Sequence, residues 1–233
     1  MELLTHPKQS TTLKTTHVNP THPIAALFDF DGVIMDTETQ YLTFWEEIGR
    51  HYFPDQPDFA RVIKGSTLVQ IYDKYFAGKE ADKAAVTQAL FAFEDTMKYE
   101  YVPGADAFLR KLKAQGIPTA IITSSNRPKM AKVYDVHPEL HTLVDRIFTS
   151  EDFARSKPFP DCFLLGAQVL GSTPAHSIVF EDSFNGIKAG NAAGMSVIGL
   201  STSNPKEAIQ DQCKLVISDF TQFTYEEMIS VLG

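Results

Sequence analysis

Cysteine is scarce in this 233-residue chain: only Cys162 and Cys213 occur. They stand far apart in neither a metal-ligand nor a redox spacing, which argues against a disulfide scaffold or a Cys-based zinc site and leaves two reduced thiols as the expectation. Long apolar runs are also missing, and none approaches the length that spans a bilayer. Positive charge is in deficit, with 21 basic against 29 acidic residues and a net charge of −8. A nucleic-acid partner shows itself as a basic patch, and no basic run is present, so neither nucleic acid nor a membrane is expected as a partner. The first 23 residues hold Thr, His, Lys and Pro but no apolar segment of the secretory kind. They are expected to be a disordered leader, and the cytoplasm follows as the expected compartment. No Gly-x-x-x-x-Gly-Lys-Ser/Thr string occurs, so nucleotide binding through such a loop is not indicated. What remains is ordinary for a soluble globular protein: 43% apolar residues, in a chain long enough for one large domain or two modest ones.

Order is expected to begin at Ile24-Ala25-Ala26-Leu27-Phe28, a short apolar run that stops abruptly at Asp29-Phe30-Asp31-Gly32. Such a run reads as a strand buried on both faces. Similar runs recur at 118–122, 146–149, 177–180, 196–200 and 215–217. Helical patterns separate most of them. Ala105, Phe108, Leu109 and Leu112 make one apolar stripe, closed by Gly116 and Pro118; Ser183 to Ala193 makes another, closed by Gly194. Strand alternating with helix predicts an α/β fold, a Rossmann-like parallel sheet whose ligand site lies at the carboxyl ends of its strands. Residues 38–102 break the rhythm. Tyr41, Phe44, Trp45 and Ile48 follow a helical period, as do Val86, Ala89, Leu90, Phe93 and Met97. An inserted α-helical cap is therefore expected over 38–102, with the core domain made of 24–37 and 103–233.

Four of the expected strand ends finish in polar groups. Asp29 and Asp31 place two carboxylates together beyond an apolar strand, which is unfavourable unless a cation or proton is shared. Gly32 then permits a tight turn. For an isolated Asp-x-Asp-Gly a solvated turn is the ordinary reading, but three further strand ends point the same way. Ile122 runs into Thr123-Ser124-Ser125-Asn126, whose hydroxyls and open N–H groups suit phosphate oxygens. Lys157 follows the third run and could neutralise a phosphate, although a lone lysine is usually a solvated one. Phe180 leads into Glu181-Asp182-Ser183, acids at a strand end and helix start, where a helix cap is the plain alternative. His137 and His141 have a helical metal-ligand spacing, but Pro138 lies between them, and a surface or helix-start pair is expected. Trp45 is expected in the cap's own core, and Lys64 in a cap loop facing the site.

Phe28-Asp29-Phe30-Asp31-Gly32-Val33-Ile34-Met35-Asp36-Thr37 resembles the first signature of the haloacid dehalogenase-like hydrolases. Thr123 falls at the second, Lys157 at the third, and Phe180-Glu181-Asp182-Ser183-Phe184-Asn185-Gly186 is similar to the fourth. The resemblance runs from Ile24 to the C-terminus, and its nearest branch is the beta-phosphoglucomutase-like one. It implies that Asp29 is a nucleophile forming an aspartyl-phosphate, and that Asp31 is the acid and base. It implies Mg²⁺ held by Asp29, the Asp31 backbone carbonyl and Asp182, with Glu181 on or beside the metal. Thr123 and Lys157 would hold the phosphoryl oxygens, and Gly32, Ser124, Asn126 and Lys64 are the further candidates for phosphate or substrate binding. The departures also inform. Asp31 speaks against carbon–halogen chemistry, whose enzymes lack it, and against phosphonate cleavage through a Schiff base on Lys64. The mutases carry a cap histidine where this chain has Tyr41, and a phosphate-binding arginine where it has Leu68. The expectation is a monomeric, Mg²⁺-dependent phosphatase acting on a small phosphorylated metabolite such as a sugar phosphate. A phosphomutase is the nearest alternative, and a non-catalytic binding or regulatory protein on the same scaffold is an alternative of another class.

Overall fold

The computed structural model describes residues 22–232, so the expected leader lies outside the described residues except for His22 and Pro23. All six apolar runs are strands: β1 (Ala25–Phe28), β2 (Thr119–Ile122), β3 (Arg146–Phe148), β4 (Ser177–Glu181), β5 (Ser196–Leu200) and β6 (Leu215–Ile217). They form one sheet in the order β3-β2-β1-β4-β5-β6, with every neighbouring pair parallel. Successive side chains of a strand point to opposite faces. Ala26 and Phe28 therefore enter one apolar cluster with Ile121 and Phe180, while Leu27 enters another with Ile122 and Val179.

Both faces must then be covered by helices. Between β1 and β2 the chain forms α1 (Glu38–Tyr52), α2 (Phe59–Val62), α3 (Leu68–Tyr75), α4 (Glu80–Glu94) and α5 (Ala105–Ala114). After β2 come α6 (Arg127–Val136) and α7 (Leu140–Leu143), then α8 (Asp161–Val169), α9 (Phe184–Ala192), α10 (Lys206–Ile209) and α11 (Tyr225–Ser230). Helices α5, α6, α7 and α11 supply the cluster around Phe28; α8, α9 and α10 supply the one around Leu27. On the first face Phe28 stacks on Phe180, with ring centroids 4.5 Å apart.

Helices α1 to α4 give neither cluster a fully buried member, only half-buried Tyr41 and Phe93 packing against the first. Phe44, Trp45, Phe59, Ile71, Phe76, Val86 and Leu90 close a separate core of their own, which makes this insert a helical cap. Its far end differs from the expectation. Met97, Tyr99 and Val102 are buried in the sheet-side cluster with Met35. The two connections run side by side: Asp36 N–H donates to Glu100 O (2.8 Å) and Val102 N–H to Ile34 O (2.9 Å). The paired connections, rather than the last cap residue in sequence, mark where the insert leaves the sheet. Among the described residues no helix is long and apolar enough to cross a membrane.

Candidate active site

The strand order places β1 between β2 and β4, and so brings three strand ends together. Asp29 follows β1, Thr123 follows β2, and Glu181 ends β4 with Asp182 next to it. Lys157 reaches them from the loop after β3. It is 1% exposed, and its ammonium donates to Asp29 Oδ1 (2.7 Å), Glu181 Oε1 (2.7 Å) and Ile122 O (3.0 Å). Three donors meet three acceptors, which is what burying an ammonium requires. The two carboxylates hold Lys157 protonated, raising it against the opposing effect of burial.

Glu181 is just as fully engaged. Its Oε2 accepts from the Asp182 and Ser183 N–H groups and from the Ser183 hydroxyl, each at 2.9 Å. Ser183 also caps α9 through Gly186 N–H (3.0 Å). The carboxylate lies flat against Gly186, where an added Cβ would stand 1.6 Å from Oε1. Asp182 approaches Gly32 in the same way, its Oδ2 lying 2.2 Å from where a Gly32 Cβ would be. Ser203, from the loop after β5, donates to that Asp182 oxygen.

Asp29, Glu181 and Asp182 are all buried, and one carboxylate oxygen from each lies within 4.8 Å of the others. Burial raises Asp29 most, Glu181 raises it further, and Lys157 only partly offsets them, leaving it at about 7. Burial, Glu38, Glu181 and Asp29 push Asp182 well above the carboxylate range. The trio thus concentrates more negative charge than one ammonium can offset. A hard divalent cation with oxygen ligands fits this donor set, and Mg²⁺ is such an ion.

Asp31 stands outside the trio. Its Oδ1 accepts from Lys129 Nζ (2.5 Å) and Thr37 Oγ1 (2.5 Å), and its Oδ2 from Ser125 Oγ (2.8 Å). Burial alone would raise its pKa, but the Lys129 charge and these hydrogen bonds outweigh burial and hold it below the usual range. The same contacts favour its carboxylate form over its acid form. Protonating it means giving up part of the Lys129 pairing.

The other expected residues divide. Ser124, Asn126 and Lys64 line a cleft of about 690 Å³ between cap and sheet, together with Asp29, Asp31 and Asp182. Asn126 also caps α6 by accepting from Lys129 N–H (3.0 Å). Lys64 is paired with Glu38 (2.7 Å). Thr123 is buried, its hydroxyl accepting from Ser125 N–H (2.9 Å). Gly32 does not line the cleft, and its N–H is taken by Met35 O (2.7 Å), so its amide is not on offer to a phosphate. It serves instead to let Asp182 come close. Trp45 is buried in the cap core and also borders the cleft. His137 is held by Glu139 (2.9 Å) and Tyr99 O (2.5 Å), away from the acidic trio.

The sequence reading missed Lys129, Glu38, Glu94 and Ser203. Lys129 had a signal. With Asn126 as cap, it falls one turn before Val133 on the face that also buries Met130. A lysine on a buried face needs a partner.

Fold and site together define a hydrolase with carboxylates converging at the strand ends of a Rossmann-like sheet. A family model for haloacid dehalogenase-like hydrolases matches residues 25–194, and the chain belongs to that family. Among its relatives, hexitol phosphatase A of Escherichia coli is 32% identical over 205 residues, covering 85% of this chain and 92% of its own length. Beta-phosphoglucomutase of Bacillus subtilis is 28% identical, covering 78% of this chain and 84% of its own length. A crystal structure of a family IA, variant 3 hydrolase of this superfamily from Entamoeba histolytica superposes with a TM-score of 0.76 at 25% identity, covering 89% of this chain and 98% of that one.

Proposed function

We propose that this protein is a Mg²⁺-dependent phosphatase that hydrolyses a small phosphate monoester, with Asp29 as nucleophile. The observation that carries the reading is the buried ammonium of Lys157, bonded at once to Asp29 and Glu181 with Asp182 alongside. An ion pair so deeply buried is an unfavourable way to stabilise a fold, but a good way to aim one carboxylate at phosphorus. The named relatives support phosphate chemistry, one as a phosphatase and one as a mutase.

In this reading Lys157 fixes one oxygen of Asp29, and the other attacks phosphorus in line. The bond from phosphorus to the alcohol oxygen breaks, the alcohol leaves with a proton, and phosphate is carried on Asp29. Water then attacks phosphorus, loses its proton to Asp31, and releases inorganic phosphate and the Asp29 carboxylate. In the first half Asp31 gives the departing alcohol the proton it took from water in the preceding turnover, Lys129 yielding Oδ1 to it meanwhile. Asp29, Asp182 and the Asp31 carbonyl would hold Mg²⁺, which supplies positive charge against the repulsion between Asp29 and an anionic substrate. Glu181, with both oxygens engaged, acts by holding Lys157. Thr123 and Ser124 would border the phosphoryl group at the end of β2, and the helical cap, α1 to α4, covers the cleft. The cap loop is docked there: Asn185 donates to Lys64 O (3.2 Å), and Gln70 to Lys157 O (3.0 Å).

The test is Asp29→Asn, which keeps the shape and removes the attacking anion. The expected result is a loss of at least roughly three orders of magnitude in kcat with p-nitrophenyl phosphate and Mg²⁺, the fold being intact by circular dichroism. Near-normal turnover by a verified variant would sink the reading.

A further inference from the structure

Glu94, the last residue of α4, is oddly placed for a structural acid. It is 4% exposed, and it sits at a helix C-terminus, where the backbone dipole opposes a carboxylate. One oxygen is used: Oε1 accepts from the Tyr41 hydroxyl (3.0 Å). The other, Oε2, is buried with no hydrogen-bond partner among the described residues. Lys132 Nζ lies 3.8 Å from it, beyond hydrogen-bond reach, and donates instead to Asp95 (2.8 Å) and Phe91 O (2.9 Å). Leaving a buried carboxylate oxygen unmatched is unfavourable, so a native structure that keeps one calls for an explanation. Burial raises the Glu94 carboxyl, and the Lys129 charge and the Tyr41 hydroxyl pull it back toward the ion.

Its position supplies the explanation. Glu94 lines the same cleft as Asp29 and Asp31. A continuous wall joins them: Asp31 is paired with Lys129, whose Nζ sits 4.4 Å from the centre of the Tyr41 ring, and the Tyr41 hydroxyl reaches Glu94. On the reading that phosphorus is attacked at Asp29 and the alcohol leaves beside Asp31, that wall runs along the departing alcohol.

We propose that Glu94 is a specificity residue, whose free oxygen accepts a hydrogen bond from a hydroxyl of the leaving alcohol. The proposal rests on the phosphatase reading and deepens it. The substrate class is an uncharged, hydroxyl-bearing alcohol carrying one phosphate. A second phosphate or a carboxylate placed against Glu94 is repelled, and a leaving group without a donor leaves the oxygen unmatched.

The experiment measures kcat/KM with Mg²⁺ for sorbitol 6-phosphate and ribose 5-phosphate, which carry hydroxyls, and for p-nitrophenyl phosphate, whose leaving group carries none. In Glu94→Ala the ratio of either hydroxylated substrate to the aryl one should fall at least about tenfold, as loss of a hydrogen bond to a charged group implies. Glu94→Gln fills the same space and keeps one acceptor, and its ratio should fall about five- to tenfold; it stands in if the alanine variant does not fold. Ratios within about threefold of the parent in both variants overturn the proposal, as does a parent enzyme that turns over the aryl substrate but neither hydroxylated one. A parent enzyme inactive on all three removes the phosphatase reading itself, and this proposal with it.

Discussion

Gly186→Ala sets two effects of opposite sign against each other. Gly186 lies in the first turn of α9, where alanine for glycine gains about 0.5–1 kcal/mol from helix propensity alone. The new methyl would meet Glu181 at 1.6 Å from Oε1 and 1.8 Å from the carboxyl carbon. A long side chain can normally swing aside, but this one is held by Lys157, two backbone N–H groups and the Ser183 hydroxyl. Moving it far enough to clear the methyl breaks at least two of these charge-assisted bonds, at about 1.5–3 kcal/mol each. The net expectation is destabilisation by about 2–5 kcal/mol, so geometry outweighs propensity. Urea unfolding reads it as a lower midpoint at unchanged slope; with a slope of about 3 kcal/mol/M the shift is about 1 M or more. The same substitution in a Glu181→Ala background meets no carboxylate and should be neutral or stabilising, so the double-mutant cycle isolates the clash. Equal cost in both backgrounds, or a Gly186→Ala protein as stable as the parent, would refute the wiring of Lys157 and Glu181.

Chelation should abolish turnover and added Mg²⁺ restore it, while Ca²⁺, with its looser and larger coordination, should support turnover poorly; full activity in chelator would rule out the roles given to Asp29 and Asp182. Lys129→Met leaves the mostly buried Asp31 carboxylate without its cation and should lower stability by about 3 kcal/mol in urea melts, together with a fall of at least about a hundredfold in kcat/KM. Gly65→Ala puts a methyl 2.6 Å from Ser183 Oγ at a backbone φ of +72°; cap docking should weaken, and KM should rise by about tenfold with little change in the far-UV spectrum. With beta-glucose 1-phosphate the products should be glucose and inorganic phosphate, and glucose 6-phosphate formation stimulated by glucose 1,6-bisphosphate would instead place the protein among the mutases.

The sheet was legible because doubly buried parallel strands are short, continuous apolar runs, and all six here end at a polar break. Asp29, Thr123, Lys157 and Asp182 were legible for the same reason: each follows a strand whose end could be seen. Glu94, Lys129 and Ser203 were not. Each is a single polar residue in a helix or loop, and its partner is distant in the chain, 98 residues away for Lys129 and Asp31. Read singly, such residues look solvated, and only the folded chain gives them partners: Asp31 beyond β1 for Lys129, Asp182 beyond β4 for Ser203, and Tyr41 of α1 for Glu94. The end of the cap was misjudged on similar grounds. Met97 continues the helical period of α4, but its side chain belongs to the sheet-side core, and periodicity does not report which of two cores an apolar residue joins.

The charges in the cleft favour hydrolysis over transfer to a second hydroxyl. A mutase must keep hold of a bisphosphate while it turns around, which needs a cation free to grip the distal phosphate. Lys64, Lys129 and Arg155 are the basic residues among the described residues lining the cleft. Lys64 is held by Glu38 at 2.7 Å, Lys129 by Asp31 at 2.5 Å, and Arg155 by Asp161 at 2.8 Å. Recruiting the first two for a distal phosphate would strand a carboxylate in a site already overloaded with them; Arg155 is more exposed, but it too would have to give up a bidentate partner. Leu68 and Tyr41, which stand in the cleft where the mutases carry an arginine and a histidine, add no charge of their own. A singly phosphorylated substrate asks for none of these exchanges, because a divalent cation suited to the acidic trio would meet its one phosphate. None of these three cations is free to hold a distal phosphate while the intermediate turns, and water is left as the acceptor.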